Sequence, residues 1–238
     1  MAIRPGLVSV TFRSLLVKKI IQLSVACGLE GIEWGGDIHV PHGDIRLARE
    51  VGVATVEAGL AVAAYGSYYW AGESESTGLS FSSVCDTAAS LRAPTIRIWA
   101  GTKNAEDATP EYRDKVLADI QRVGKLAGDA GMSVSLELHR NTLANTVKSV
   151  IEFLSAVSGE HLQTYWQPPL ELPLPAAIEG LREVLPWLSN VHVFHWWPDS
   201  NFRHALETGQ NHWQQYFDVL KADKKNRWAL LEFVQGDK

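Results

Sequence analysis

The stretch Thr109–His139, TPEYRDKVLADIQRVGKLAGDAGMSVSLELH, carries the reading of the fold. Thr109 offers a side-chain oxygen to the first-turn amides. Pro110 suits the first helical position, where its missing N–H costs nothing. The helix is expected to end near Gly131, and Ser133–Leu138 follows as a short strand. A long helix therefore feeds directly into an apolar strand, and that strand ends on two polar residues, Glu137 and His139.

The same alternation runs outward in both directions. Toward the N-terminus, strands are expected at Leu7–Phe12, Leu29–Trp34, Leu60–Gly66 and Pro94–Trp99. The helices between them start at Ser14 (stopping at Gly28), cover Asp44 to Glu57 (closed by Gly59) and cover Phe81–Leu91. Toward the C-terminus, strands are expected at Leu162–Gln167, Val191–Trp196 and Trp228–Val234. Helices fall at Thr146–Val157, through Ile178, Leu181 and Val184, and at Trp213–Leu220. Eight short apolar strands separated by helices imply a parallel sheet buried on both faces. No GxGxxG or GxxxxGK[ST] turn follows any strand, and the count matches closure, so a single (β/α)8 TIM barrel spanning residues 1–238 is expected.

The barrel is expected to lack its last outer helix, because few residues follow the eighth strand. Leu7, Leu231 and Phe233 would then face solvent unless covered. Residues Met1–Pro5 reach only about 17 Å, so a second subunit or a missing tail is the favoured cover.

Composition narrows the function classes. The 238 residues are 46% hydrophobic and 21% charged, with a net charge of −5, an ordinary globular balance with no basic surface to recruit nucleic acid or an anionic membrane. Cys27 and Cys85 lack metal spacing and are expected to be small buried apolar residues in a reducing cytoplasm. No stretch has the architecture of a secretion signal or a membrane span.

Polar residues at strand C-termini are the functional candidates in such a barrel. Glu33 ends the second strand, Glu137 and His139 the fifth, and Gln167 the sixth. His192 and His195 lie on the seventh, and Glu232 sits inside the apolar run ALLEFV of the eighth. A buried carboxylate needs a cation, so Glu137 and Glu232 require a common explanation. One is a divalent metal: two carboxylates and an imidazole suit Mn2+, Mg2+ or Co2+, leaving open positions for a bidentate sugar. The other is an ion pair with Arg97 or Arg140, or a pH-dependent buried hydrogen bond. Trp34, Tyr68, Tyr69, Trp70, Trp99, Trp166, Trp196 and Trp197 fall at or just after strand ends, and together would form a pocket with stacking faces. His39 and Arg203, in the loops after strands two and seven, could contact substrate oxygens.

The segments GLEGIEWGGDIHVP (Gly28–Pro41), SLELHRNTLANT (Ser135–Thr146), NVHVFHW (Asn190–Trp196) and ALLEF (Ala229–Phe233) resemble the xylose-isomerase-like TIM-barrel superfamily. That group holds sugar and sugar-phosphate isomerases and epimerases, hydroxypyruvate isomerase, inosose dehydratase and endonuclease IV. The resemblance implies a metal held by Glu137, His192 and Glu232, with Gln167 standing where the family places Asp. The ligand set thereby falls from three formal negative charges to two, so weak metal binding is expected. It further implies that Glu137 and Glu232 are both ligands and general bases, moving a proton through an enediolate. Glu33, His39, Trp99, His139, Trp166, His195 and Arg203 are the expected substrate contacts.

The resulting expectation is a metal-dependent isomerase or epimerase of a small sugar or related polyhydroxy carbonyl compound. Its alternatives are a dehydratase or lyase on a cyclic polyol, and a non-catalytic sugar-binding barrel. An endonuclease-IV-like activity is disfavoured, because it needs more metal ligands and a basic surface.

Overall fold

Four side-chain caps set the starts of the helices on the outside of the molecule. Asp44, Ser80, Thr109 and Thr146 accept from the backbone N–H of Leu47, Ser83, Tyr112 and Ser149, at 2.9, 3.2, 3.3 and 3.1 Å. They open α2 (Ile45–Glu57), α3 (Phe81–Leu91), α4 (Pro110–Asp129) and α5 (Val147–Ala156). The other helices are α1 (Val17–Ala26), α6 (Leu174–Val184) and α7 (Gln210–Ala222). Ser14 caps nothing: α1 starts later, with Leu16 at its N-cap and no side-chain hydrogen bond there.

The computed structural model describes residues 3–157 and 161–236. Its strands are β1 (Ile3–Val8), β2 (Gly31–Gly35), β3 (Ala61–Trp70), β4 (Thr95–Trp99), β5 (Ser133–Glu137), β6 (Leu162–Trp166), β7 (Leu188–Val193) and β8 (Arg227–Leu231). They pair in parallel in chain order, and β8 returns to pair with β1, closing the barrel. The period-2 alternation of a strand divides each one between two environments. Ile32, Ile96, Ile98, Val134, Leu136 and Val191 point outward and join one apolar cluster with the helices. Val8, Ala64, Tyr165 and Leu230 point inward and form a small plug inside the barrel. Toward the C-terminal strand ends, the inward positions become charged.

Two strand boundaries change the expected picture at the closing seam. β1 begins at Ile3, not Leu7, and Ser9–Phe12 is a 3-10 turn. Ile3–Pro5 are therefore wall, hydrogen-bonded beside Arg227–Ala229, and cannot fold over the gap. Leu7 is not exposed: it faces the helical layer and keeps 2% of its surface, with α7 packed against β1. Leu231 and Phe233 are half-buried. No helix follows β8 among the described residues. Cys85 is buried, as expected, but Cys27 is exposed, and both are free thiols. Among the described residues, no helix is long and apolar enough to cross a membrane.

Candidate active site

Arg97 sits at the centre of the charged layer. It is an inward position of β4, in register with Gly66 of β3 and Ser135 of β5. Its Nε donates to Glu33 Oε1 at 2.7 Å, and its Nη1 donates to Glu137 Oε2. All three side chains are buried. Gly66 makes the room for this arrangement: a Cβ there would lie 2.7 Å from Arg97 Nη2 and 2.8 Å from Glu33 Oε1. The indole Nε1 of Trp99, two residues along β4, donates to the same Glu137 oxygen at 2.6 Å. Glu137 Oε2 is thus doubly satisfied, and the Arg97 guanidinium beside Glu33 and Glu137 outweighs burial to hold both carboxyls below their ordinary range.

His192 stands among three carboxylates. Its Nδ1 lies 3.4 Å from Glu137 Oε1 and 3.4 Å from Glu232 Oε2, and its Nε2 lies 3.7 Å from Glu33 Oε2. These are ion-pair distances, yet among the described residues neither ring nitrogen makes a hydrogen bond, and Glu33 Oε2 has none either. Buried polar atoms without partners are expensive, so several of them converging indicates something that binds between them. One ligand atom each from Glu137, His192 and Glu232 lies within 4.8 Å of the others. Two carboxylates and an imidazole are a fitting donor set for a divalent cation.

The electrostatics of the cluster are lopsided. Three carboxylates face one guanidinium. Burial opposes charge on His192, but Glu232, Glu137 and Glu33 outweigh it and raise the imidazole to about 10. Burial raises Glu232 to about 7 against the pull of His192, with Glu137 adding repulsion. The ion pair anticipated from the sequence and the Glu137–His192–Glu232 group that could hold a cation therefore stand side by side, sharing Glu137.

Above this layer opens a cavity of about 1040 Å3. Among the expected residues, Glu137, Trp99, His139, Gln167, Arg203 and Glu232 line it. His139 Nδ1 lies 2.6 Å from the Arg140 carbonyl oxygen, and its ring packs against Trp99. Gln167 donates its amide N–H to the Leu138 carbonyl at 2.7 Å. Arg203 lies over the Phe233 ring at 5.0 Å.

Other expected contacts lie elsewhere. Glu33 is wholly buried beneath the cavity, paired with Arg97. His39 is buried beside Ser9 Oγ, 3.0 Å from its Nδ1, and does not line the cavity. His195 turns to Gly209 and His204, its ring 5.5 Å from that of His204. Trp166 is an outward position of β6 and packs on Tyr216 of α7. Trp34 and Tyr69 also face the helical layer. Trp70 packs on Trp99, 4.2 Å between rings, while Trp197 is exposed. Of the aromatic set, Tyr68, Trp99 and Trp196 line the cavity, joined by Phe194 and Phe233. Tyr165, not singled out in the sequence, packs edge-on against His192 at 5.1 Å and accepts from Asn190 at 2.8 Å. An inward aromatic one residue before an outward one was readable from alternation.

A closed barrel carrying a Glu–His–Glu cluster at its C-terminal end defines the class, and comparison with known proteins agrees. Residues 21–237 match the family model described as xylose isomerase-like TIM barrel, and the chain belongs to that family. A curated 3-dehydroshikimate dehydratase from Bacillus anthracis is 26% identical over 103 residues, 41% of this chain and 35% of that protein. The alignment thus spans about a third of the relative's length. Among solved structures, the "probable 3-DHS dehydratase" of petrobactin synthesis from Bacillus anthracis superposes with a TM-score of 0.81 at 20% identity, covering 98% of this chain and 94% of that one. A D-allulose 3-epimerase from Methylomonas sp. gives 0.75 at 17% identity, over 97% and 84%. A xylose isomerase-like TIM barrel protein from Mycobacterium smegmatis in complex with magnesium gives 0.69 at 15% identity, over 97% and 91%.

Proposed function

We propose that this chain is a metal-dependent enzyme that removes the proton beside the carbonyl of a small polyhydroxylated substrate, with Glu232 as the base. The observation that carries this reading is the inequality of the two carboxylates. Glu137 Oε2 is already bound by Arg97 and Trp99, whereas Glu232 meets, among the described residues, only His192 at ion-pair distance. Glu137 serves as a fixed anion, and Glu232 keeps an oxygen for the proton. In the metal-free chain, burial and the neighbouring Glu137 raise Glu232 while Glu137 is held low, so Glu232 is the more basic of the two carboxylates.

A divalent cation held by Glu137, His192 and Glu232, with the Gln167 amide oxygen as a further donor, would supply the electrophile that makes the carbon acid labile. The protein's own groups do the rest. Arg97 and Trp99 fix the Glu137 carboxylate, and Trp99, Trp196 and Phe233 offer apolar faces to the C–H surface of a ring or sugar chain.

One competent base favours a dehydratase. Glu232 takes the proton, the electron pair of the broken C–H bond forms the new double bond as the C–O bond on the next carbon breaks, and the departing hydroxyl leaves as water with the proton that Glu232 returns. The likeness to 3-dehydroshikimate dehydratases supports this outcome. A second reading is isomerisation or epimerisation, in which the proton returns to carbon. It is supported by the epimerases among the structural neighbours.

Incubating the Mn2+-loaded protein in D2O with 3-dehydroshikimate and with D-allulose tests both. Dehydration of the first leaves an aromatic acid with new ultraviolet absorbance. Isomerisation or epimerisation of the second incorporates deuterium into recovered sugar. Neither signal from either compound overturns the proposal for these substrate types.

A further inference from the structure

Tyr68 holds a backbone conformation that its own side chain disfavours. Its φ is 54°, in the left-handed region where a bulky residue is an outlier. Of the other non-glycine residues there, Arg92 ends α3, Lys224 follows α7, and Asn141 is of a type that tolerates the region. Tyr68 and Phe233 are the two aromatic cases, and both line the cavity.

The strain at Tyr68 is built into the sheet. Gly66 pairs with Arg97 and Tyr69 with Ile98, so Ser67 and Tyr68 are inserted opposite a single step of β4. Ser67 pins the bulge: its hydroxyl donates to the Arg97 carbonyl at 2.7 Å and accepts from the Tyr69 N–H at 3.2 Å. Bulges of this kind re-aim a side chain, and here the re-aimed one joins the cavity wall. Its ring is then held on two sides, edge-on to Trp99 at 4.9 Å and beneath the Arg97 guanidinium at 5.5 Å. The phenol oxygen is in hydrogen-bond reach of the Arg13 guanidinium, a donor on the same cavity wall, while its own O–H has no acceptor among the described residues. A clamped ring with an unspent O–H, on a strained backbone, is the signature of a group prepared for something not part of the fold.

We infer that Tyr68 is a substrate-contact residue whose hydroxyl donates a hydrogen bond to an oxygen of the bound polyhydroxylated molecule. The inference rests on the proposed reading of the cavity for its ligand class, not for the reaction. Tyr68 acts as a fixed donor and transfers no proton. It supplies direction, because a donor at one point of the wall selects ligands with an oxygen opposite it.

The test is the Tyr68→Phe variant, which removes one oxygen and keeps the ring against Trp99 and Arg97. Mn2+-loaded wild type and variant are titrated calorimetrically with D-allulose and with shikimate, a ring polyol acid without the ketone. The expected result is about tenfold weaker binding of whichever ligand the wild type takes, with melting temperature and Mn2+ affinity unchanged. Equal affinity in the variant overturns the inference, as does a wild type that binds neither ligand. A parallel loss of melting temperature and Mn2+ affinity also overturns it, since the hydroxyl would then serve the fold. Turnover is scored separately by deuterium exchange, so the reaction assignment can fail while the contact stands.

Discussion

The indole N–H of Trp99 reaches Glu137 Oε2 across 2.6 Å, the oxygen that also receives the Arg97 guanidinium. Glu137 consequently presents Oε1 alone to His192. Glu232, the other carboxylate facing that imidazole, has neither donor. Two residues of one type, on strands three apart around the barrel, are thereby given different chemistry by their neighbours.

Replacing Arg97 by Met should move two properties in opposite directions. Glu33 and Glu137 would be left buried without their cation, and breaking a buried pair in this way costs about 3–5 kcal/mol. Urea denaturation of metal-free protein measures that loss. The same substitution removes a positive charge beside the ligand cluster, so Mn2+ affinity should rise. Unchanged stability would mean that Arg97 does not compensate these carboxylates.

Glu137→Gln and Glu232→Gln should each abolish Mn2+ binding, since each removes one of the two anionic members of the cluster. His192→Ala should weaken it. His195→Ala should leave it unchanged, because His195 packs toward Gly209 and His204, away from the cluster. Calorimetric titration of all four variants separates these outcomes, and wild-type affinity in either Glu variant would sink the site.

Stability and metal binding should depend on pH in linked ways. His192 faces Glu33, Glu137 and Glu232, with the Tyr165 ring packed edge-on against it, and is raised from 6.5 to about 10. A raised value contributes stability that is complete below the ordinary pKa and is lost as pH climbs through the folded one. Glu232, raised from 4.5 to about 7, behaves with the same sign at lower pH. Metal-free protein should therefore lose stability from about pH 4.5, as Glu232 begins to ionise in the unfolded chain, up to about pH 10, where folded His192 loses its proton. Metal binding must displace these protons, so Mn2+ affinity should rise over the same range and offset the loss. Thermal melts with chelator and with Mn2+ across this range decide it. A metal-free protein that gains stability as pH rises would contradict the assignment.

How legible this was in the sequence depended on what sets each feature. Helix starts at Asp44, Thr109 and Thr146 were readable because a cap acts on amides two or three residues away. Inward placement of Glu137 and His192 followed from period-2 alternation within single strands. Trp166 fails by that same rule, since it is one residue past the inward Tyr165. Alternation could not orient Tyr68, because it is one of the two residues inserted in the bulge of β3. His39 and His195 lie past strand ends, where direction is set by loop packing that no local pattern encodes. Arg97 was visible as a cation within TIRIW, but its choice of Glu33 and Glu137 as partners depends on register across four strands.

Gln167 carries the last prediction. It stands where the family resemblance places an Asp, and its amide N–H is spent on the Leu138 carbonyl at 2.7 Å. Asp has no N–H to give and a shorter side chain, so Gln167→Asp loses that anchor, a cost of about 1 kcal/mol for one neutral hydrogen bond. Against this, the new carboxylate adds a third formal negative charge to the ligands around the cation. At a partly buried site the Coulomb gain for one added charge is several kcal/mol before desolvation is subtracted, so a net tightening of about tenfold is expected for Mn2+. The two effects separate experimentally, because lost anchoring lowers the melting temperature of metal-free protein while added charge appears only in the metal titration. Lower stability with tighter Mn2+ binding is the expected pair. Lower stability with unchanged or weaker binding would mean that the Gln167 side chain serves the β5–β6 seam through Leu138 and lies outside the reach of the cation.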